Sequence, residues 1–197
     1  GLLEKFINDK NIKLTAMDPE TFNKVKQDIT NVLAKYGEKA DMAYGMIAKI
    51  NGREVKIMFS KDHKISATMM TNLAGQQEIR TYNWQFGEDG KVLQVEGSLF
   101  RDGRKIGTFA LGFKGGEVFE KAMAEIIKTA GHLAEIKEKL DKVAMIYEER
   151  DNGGNLTRRV YMDENKQVLM SEHRMSNGNM RMLSYEYGEN GNVSGKV

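Results

Sequence analysis

The stretch Trp84-Gln85-Phe86-Gly87-Glu88-Asp89-Gly90-Lys91-Val92 returns later in the chain as Tyr185-Glu186-Tyr187-Gly188-Glu189-Asn190-Gly191-Asn192-Val193, with aromatics, acids and glycines in step. Two more pairs of segments keep the same separation to within one residue. They are Phe59-Ser60-Lys61-Asp62-His63-Lys64 with Tyr161-Met162-Asp163-Glu164-Asn165-Lys166, and Glu38-Lys39-Ala40-Asp41 with Glu138-Lys139-Leu140-Asp141. Repetition constrains a fold strongly, because each copy must follow the same local rules and bury the same kind of face. Hairpin turns converge on aromatic-Gly-acid-Gly sequences by themselves, but three blocks in one register point to a duplication.

The periodicity gives the content of each copy. Asp18-Pro19-Glu20 combines an N-cap residue, Pro at the first helical position and an acid in the first turn. Phe22, Val25, Ile29, Val32, Leu33 and Tyr36 follow at helical spacing, which predicts a helix over about 18–37. After Gly37 the period becomes two. Met42, Tyr44, Met46, Ala48 and Ile50 alternate up to Asn51-Gly52, a type I′ turn signal, and Val55, Ile57 and Phe59 alternate beyond it. Turn residues then separate strands near 65–72, 77–86, 91–100 and 104–113. Gly115-Gly116 ends this run, and Phe119, Ala122, Met123, Ile126 and Ile127 restore helical spacing as far as Gly131. A short helix through Leu133, Ile136 and Leu140 precedes four more strands near 143–150, 156–162, 167–175 and 180–187.

Helices grouped before each run of strands imply an α+β fold with antiparallel sheets. The expected architecture is a tandem duplication of a helix-plus-antiparallel-meander unit of the α-β4 type, the first unit carrying two extra strands. Residues 1–116 form the six-strand unit. Residues 117–197 form a helix-turn-helix with a four-strand meander, and the two meanders are expected to join into one curved sheet with helices on its convex side.

Composition removes whole classes of function. With Cys at 0 there is no disulfide, thiolate nucleophile or iron–sulfur ligation, and no structural zinc of the usual kind. The apolar runs are far shorter than the 18 or so residues a membrane helix needs, so a membrane-embedded helical protein is not expected. Thirty basic against 28 acidic residues leave a net charge of +2, too little for a protein that tracks a phosphate backbone, and no nucleic-acid partner is expected. Twenty glycines contain neither a P-loop nor a dinucleotide fingerprint, and no cofactor is expected. A start at Gly1 rather than Met reads as a trimmed or processed product, and the compartment is left open.

Residues with catalytic potential are scattered. His63 falls in a turn, His132 between helices and His173 in a strand. Ser171 and His173 share a strand face, but an activated serine also needs a group to orient its base. Glu88, Asp89, Glu148, Glu149 and Glu189 sit at turns or strand ends and read as solvated acids. Asp151-Asn152-Gly153-Gly154-Asn155 departs from a calcium loop at its third position and at Met162 in the twelfth, and reads as a hairpin turn. Arg158, Arg159, Arg174 and Arg181 with Tyr161, Tyr185 and Tyr187 would make a stacking platform if they shared a face, but the matching acids favour a solvated, salt-bridged one. Thirteen methionines, several in strands, supply soft apolar surface. Met69 and Met70 are strand neighbours and must face opposite ways, so both faces of that strand are apolar.

No motif supports an enzyme. The leading expectation is a non-catalytic protein-binding or structural module acting through a β-sheet face or edge, with another protein as partner and self-association open. Binding of an apolar small molecule or lipid between helix and sheet is the alternative that the methionines suggest. A processed virus-particle component, structural or injected, is a further one, resting on the Cys-free, non-Met-initiated chain. The candidate binding patch is Tyr82, Trp84 and Phe86, which alternate on one strand face, with Tyr185 and Tyr187 in the second copy. The apolar stripe of the first helix must pack somewhere, and the expectation is that it covers the Trp84 face, making these rings core.

Overall fold

The computed structural model describes residues 12–130, 134–188 and 193–196. Among the described residues, twelve strands and three helices alternate in blocks: β1 (Ile12–Ala16), α1 (Pro19–Ala34), β2 (Met42–Ile50), β3 (Arg53–Ser60), β4 (Ile65–Thr71), β5 (Gln77–Phe86), β6 (Val92–Arg101) and β7 (Arg104–Phe113), then α2 (Glu117–Ala130), α3 (Ala134–Leu140), β8 (Met145–Arg150), β9 (Leu156–Met162), β10 (Val168–Arg174), β11 (Met180–Tyr187) and β12 (Val193–Lys196). Hydrogen-bonded neighbours follow chain order from β1 to β12, so the class is α+β with antiparallel strands. The expected helices and strands are present. β1 and β12 were not anticipated, because five- and four-residue segments are too short to establish an alternation.

Local chemistry accounts for the boundaries. Asp18 caps α1, its Oδ1 accepting the Thr21 amide at 2.8 Å, and Pro19 fills a position whose N–H has no helical partner. Gly37, at φ 70°, lets the chain leave the helix in a left-handed turn that few side chains tolerate. Asn51 and Gly52 both have positive φ, as a type I′ hairpin requires. The Asp151 loop is the turn expected of it: the Asp151 carboxylate accepts the Gly153 and Asn155 amides, each at 3.0 Å. His132 and the Glu189-Asn190-Gly191 turn lie outside the described residues.

The chain divides into two compact units, one comprising residues up to Gln85 with Glu96–Gly107, the other Phe86–Val95 with the residues from Thr108 onward. In the first, Val25, Ile29, Val32 and Leu33 of α1 pack with Met42, Met58, Ala67, Met69, Ile79 and Phe100. Burial of each of these side chains larger than Ala67 contributes about 1.5–3 kcal/mol. In the second, Phe119, Ala122 and Ile126 of α2 and Ile136 and Leu140 of α3 pack with Ile146, Tyr161, Leu169 and Met170. Gly112 of β7 is required here, since a Cβ on it would lie 2.7 Å from the Phe119 backbone nitrogen. The close approach of α2 to the sheet leaves room only for hydrogen.

These cores correct one expectation. Ala67, Met69 and Ile79 face α1, and in antiparallel register Ser66 pairs with Tyr82 and Thr68 with Arg80 on the opposite side. Tyr82 and Trp84 therefore lie on the face turned away from α1. The helix stripe does pack on the sheet, but on the side marked by Ile79. Met69 and Met70 divide as their adjacency requires, Met69 into the α1 core and Met70 against a second apolar cluster of Ala48, Val55, Ile57 and Phe59.

Candidate functional site

On the face turned away from α1, strand register sets Tyr44, Phe59, Ser66 and Tyr82 side by side across β2 to β5. Tyr44 stacks on Phe59 with ring centroids 5.1 Å apart, and its hydroxyl meets His63 Nδ1 at 2.8 Å. Tyr82 and Trp84 lie nearly parallel, centroids 6.3 Å apart. Trp84 Nε1 donates to Ser66 Oγ at 3.0 Å, so the ring is fixed by a bond to a neighbouring strand. The next row holds Met46, Ile57, Thr68 and Arg80, and the one after it Ala48, Val55, Met70 and Glu78. The face is thus aromatic at one end, aliphatic over β1 to β3 and polar over β4 and β5. Tyr44 is exposed, and Tyr82 and Trp84 are half-buried.

Of the residues singled out from sequence, Tyr82 and Trp84 are brought together as alternation required. Phe86 ends β5 with 47% of its surface exposed and belongs to the second compact unit. Tyr44, Phe59 and Ser66 were missed. Their signal was the Asn51-Gly52 hairpin, which pairs β2 with β3 and so brings Tyr44 to Phe59.

In the second unit Tyr185 and Tyr187 alternate on β11, on the face turned away from α2. Tyr185 OH lies 3.2 Å from Ser171 Oγ, and Tyr187 OH donates to the Val168 carbonyl at 2.7 Å. Ser171 pairs in register with Leu183, two residues before Tyr185, just as Ser66 pairs with Tyr82, two residues before Trp84. His173 Nε2 lies 3.1 Å from Ser171 Oγ, so the serine and histidine noted in the sequence do meet. That is the only side-chain hydrogen bond of His173 among the described residues. Ser171 is 2% exposed. A serine nucleophile needs a group orienting its base, and among the described residues none is hydrogen-bonded to His173 Nδ1.

The largest departure from the sequence reading lies beneath α2. Glu148 and Arg159, read as members of a solvated face, are 6% and 3% exposed. Register sets Glu148, Arg159 and Glu172 in a row across β8, β9 and β10 on the side of Ile146, Tyr161 and Met170. Arg159 Nε donates to Glu148 Oε1 at 3.0 Å, and Nη2 to Glu125 Oε2 of α2 at 2.7 Å. Tyr161 donates its hydroxyl proton to Glu172, and Arg150 Nη2 donates to the other Glu148 oxygen at 3.2 Å. Burial pushes the Tyr161 phenol up, and the Glu172 carboxylate adds to that. Burial opposes the charge of Arg159, but Tyr161, Glu148 and Glu125 outweigh it and hold the guanidinium above its ordinary value. Every member of the network has a partner, which is the condition for burying charge between helix and sheet.

The arginines and tyrosines of the hypothetical stacking platform are therefore split. Arg159 and Tyr161 lie under α2, whereas Arg158, Arg181, Tyr185 and Tyr187 occupy the other face, and Arg174 is paired with Asp151 at 2.9 Å. Among the described residues no group of three or more His, Asp or Glu side chains is arranged to hold a metal ion, and no helix is long and apolar enough to cross a membrane. Compared with models of known protein families and with curated protein sequences, the chain matches none.

Proposed function

We propose that this chain is a non-catalytic protein-binding module acting through the sheet face turned away from α1, built from two repeats of one helix-plus-meander plan. The observation that carries the reading is the aromatic group of Tyr44, exposed and stacked on the buried Phe59, with the half-buried Tyr82 and Trp84, outside the α1 core and continuous with Met46, Ile50 and Met70. Aromatic side chains are enriched at interface hot spots, and methionines beside them repack to fit a partner's surface. The matching relation of Trp84 to Ser66 and of Tyr185 to Ser171 supports the repeat. The unassisted Ser171–His173 pair supports a non-catalytic role.

Photoreactive benzoylphenylalanine placed at Tyr82, with exposed Lys24 on α1 as the control site, tests this in cells of the source organism. The expected result is a discrete protein adduct from position 82 and none from position 24. Adducts at both positions alike, or a stoichiometric apolar molecule extracted from the purified protein and identified by mass spectrometry, would replace it with non-specific contact or ligand carriage.

A further inference from the structure

We propose that the face of β8 to β11 turned away from α2 holds a second site, which recognises a single phosphate group on a protein segment. This rests on the protein-binding reading and names the partner chemistry of the second unit. Register aligns Glu149, Arg158, His173 and Arg181 in one row across four strands. Arg158 and Arg181 stand on either side of His173, about 10 Å apart at their strands given a spacing near 4.8 Å, close enough for both guanidiniums to converge on one oxyanion.

The two guanidiniums of this row donate no hydrogen bond among the described residues. Of the arginines on β8 to β11, Arg150, Arg159 and Arg174 each donate to a carboxylate within the protein. Arg158 and Arg181 are exposed, and their side chains make no hydrogen bond among the described residues. Arg158 has only a loose ion pair, Nη1 lying 3.9 Å from Glu149 Oε1, and that oxygen already accepts the Tyr147 hydroxyl at 2.7 Å. The guanidinium of Arg158 is held over the Tyr147 ring, 5.8 Å from its centroid, so part of the ordering needed for binding is already present. His173 commits Nε2 to Ser171 and leaves Nδ1 as a further polar contact.

The row favours one isolated phosphate over a nucleic-acid strand. Glu149 closes its β8 end with a negative charge that would repel a second phosphate, and the chain as a whole carries only +2. Paired guanidiniums with unused donors suit the planar, bidentate recognition of a phosphate on a peptide. The adjacent row of Tyr147, Val160, Ser171 and Leu183 supplies aromatic and apolar contact for flanking residues.

The test titrates the isotopically labelled full chain with a glycine-flanked phosphoserine pentapeptide, its unphosphorylated form and a short oligothymidylate, following the His173 ring and arginine Nε–H signals by NMR. Saturable shifts of His173, Arg158 and Arg181 are expected from the phosphopeptide alone. Arg158→Gln and Arg181→Gln should each weaken binding about tenfold or more, as loss of a charge-assisted contact implies. Lys24→Gln, on the exposed side of α1 and outside both proposed faces, should leave it unchanged. Absent or unsaturable shifts, undiminished binding by both variants, or tighter binding of oligothymidylate would overturn the site. Failure here alongside a protein adduct from position 82 removes this site and spares the protein-binding reading, whereas the reverse pattern removes that reading.

Discussion

Arg158 and Arg159 are adjacent in sequence and opposite in environment, which makes their replacement by methionine a direct measure of what the buried network contributes. The Arg159 side chain is 4% exposed, with Glu148 at 2.9 Å, Glu125 at 2.7 Å and Glu172 at 3.7 Å. Arg159→Met keeps most of the aliphatic volume but leaves Glu148, 8% exposed, with Arg150 as its remaining cation. Breaking a buried pair on one side costs about 3–5 kcal/mol, because the surviving carboxylate loses its closest partner without gaining water, and Arg150 alone offsets only part of that. At about 2–4 °C per kcal/mol for a chain of this size, the melting temperature should fall by about 6–20 °C. Arg158→Met removes an exposed side chain without hydrogen bonds, and should stay within about 0.5 kcal/mol of the parent. Urea unfolding followed by far-UV circular dichroism gives both values. If Arg159→Met cost less than about 1 kcal/mol, or no more than Arg158→Met, the row beneath α2 would be solvated and its assignment to the core wrong.

Other expectations follow from the same geometry. Trp84→Ala loses the Ser66 hydrogen bond and the Tyr82 contact and should cost roughly 1–2 kcal/mol, whereas Phe100→Ala, fully buried against the α1 core, should cost about 3–5 kcal/mol; equal losses in urea melts would mean that the Trp84 face is closed. Gly116→Ala brings a Cβ to 2.6 Å from the Leu93 carbonyl oxygen, and a lowered urea midpoint is expected, by about 1–3 kcal/mol; an unchanged midpoint would show that the α2 approach is looser than described. Asp62 and Asp151 are held below the ordinary carboxylate value of 3.8, Asp62 chiefly by the Ser60 hydroxyl and Asp151 by Arg174. Their contribution is present above that value and lost as pH falls below it through the folded-state values, so Asp151→Asn should flatten the acid limb of a stability–pH curve, and an acid limb as steep as the parent's would contradict the Arg174 pairing.

Much of the framework was legible because it is written in local chemistry. Asp18-Pro19 starts α1, Asn51-Gly52 turns the first hairpin, and the turn residues between strands bound β5, β7, β9 and β11 at their observed limits. The face that α1 covers was not legible. β5 carries Ile79 on one side and Tyr82 and Trp84 on the other, and an apolar helix stripe does not say which it meets. Only pairing with Ala67 and Met69 in β4 decides it, which is a non-local fact. The buried charges were missed for a related reason, since Glu148, Arg159 and Glu172 each read as surface residues singly. Their signal was parity: each lies two residues from Ile146, Tyr161 or Met170 on its own strand, and their signs alternate across the sheet. Charges that complement one another in register can share an apolar face.

Trp84 is the only tryptophan in the chain, so its fluorescence reports on the proposed protein-binding face alone. The most direct measurement is a titration of the purified chain with the polypeptide segment that crosslinks to position 82, following Trp84 emission and its quenching by acrylamide. Binding should shift the emission and protect Trp84 from quenching, and Trp84→Ala, which has no tryptophan and is titrated by calorimetry beside the parent, should bind about thirtyfold more weakly, the scale of a 2 kcal/mol hot spot. A segment that binds with unchanged Trp84 emission and equal affinity for Trp84→Ala would contradict the assignment of this face.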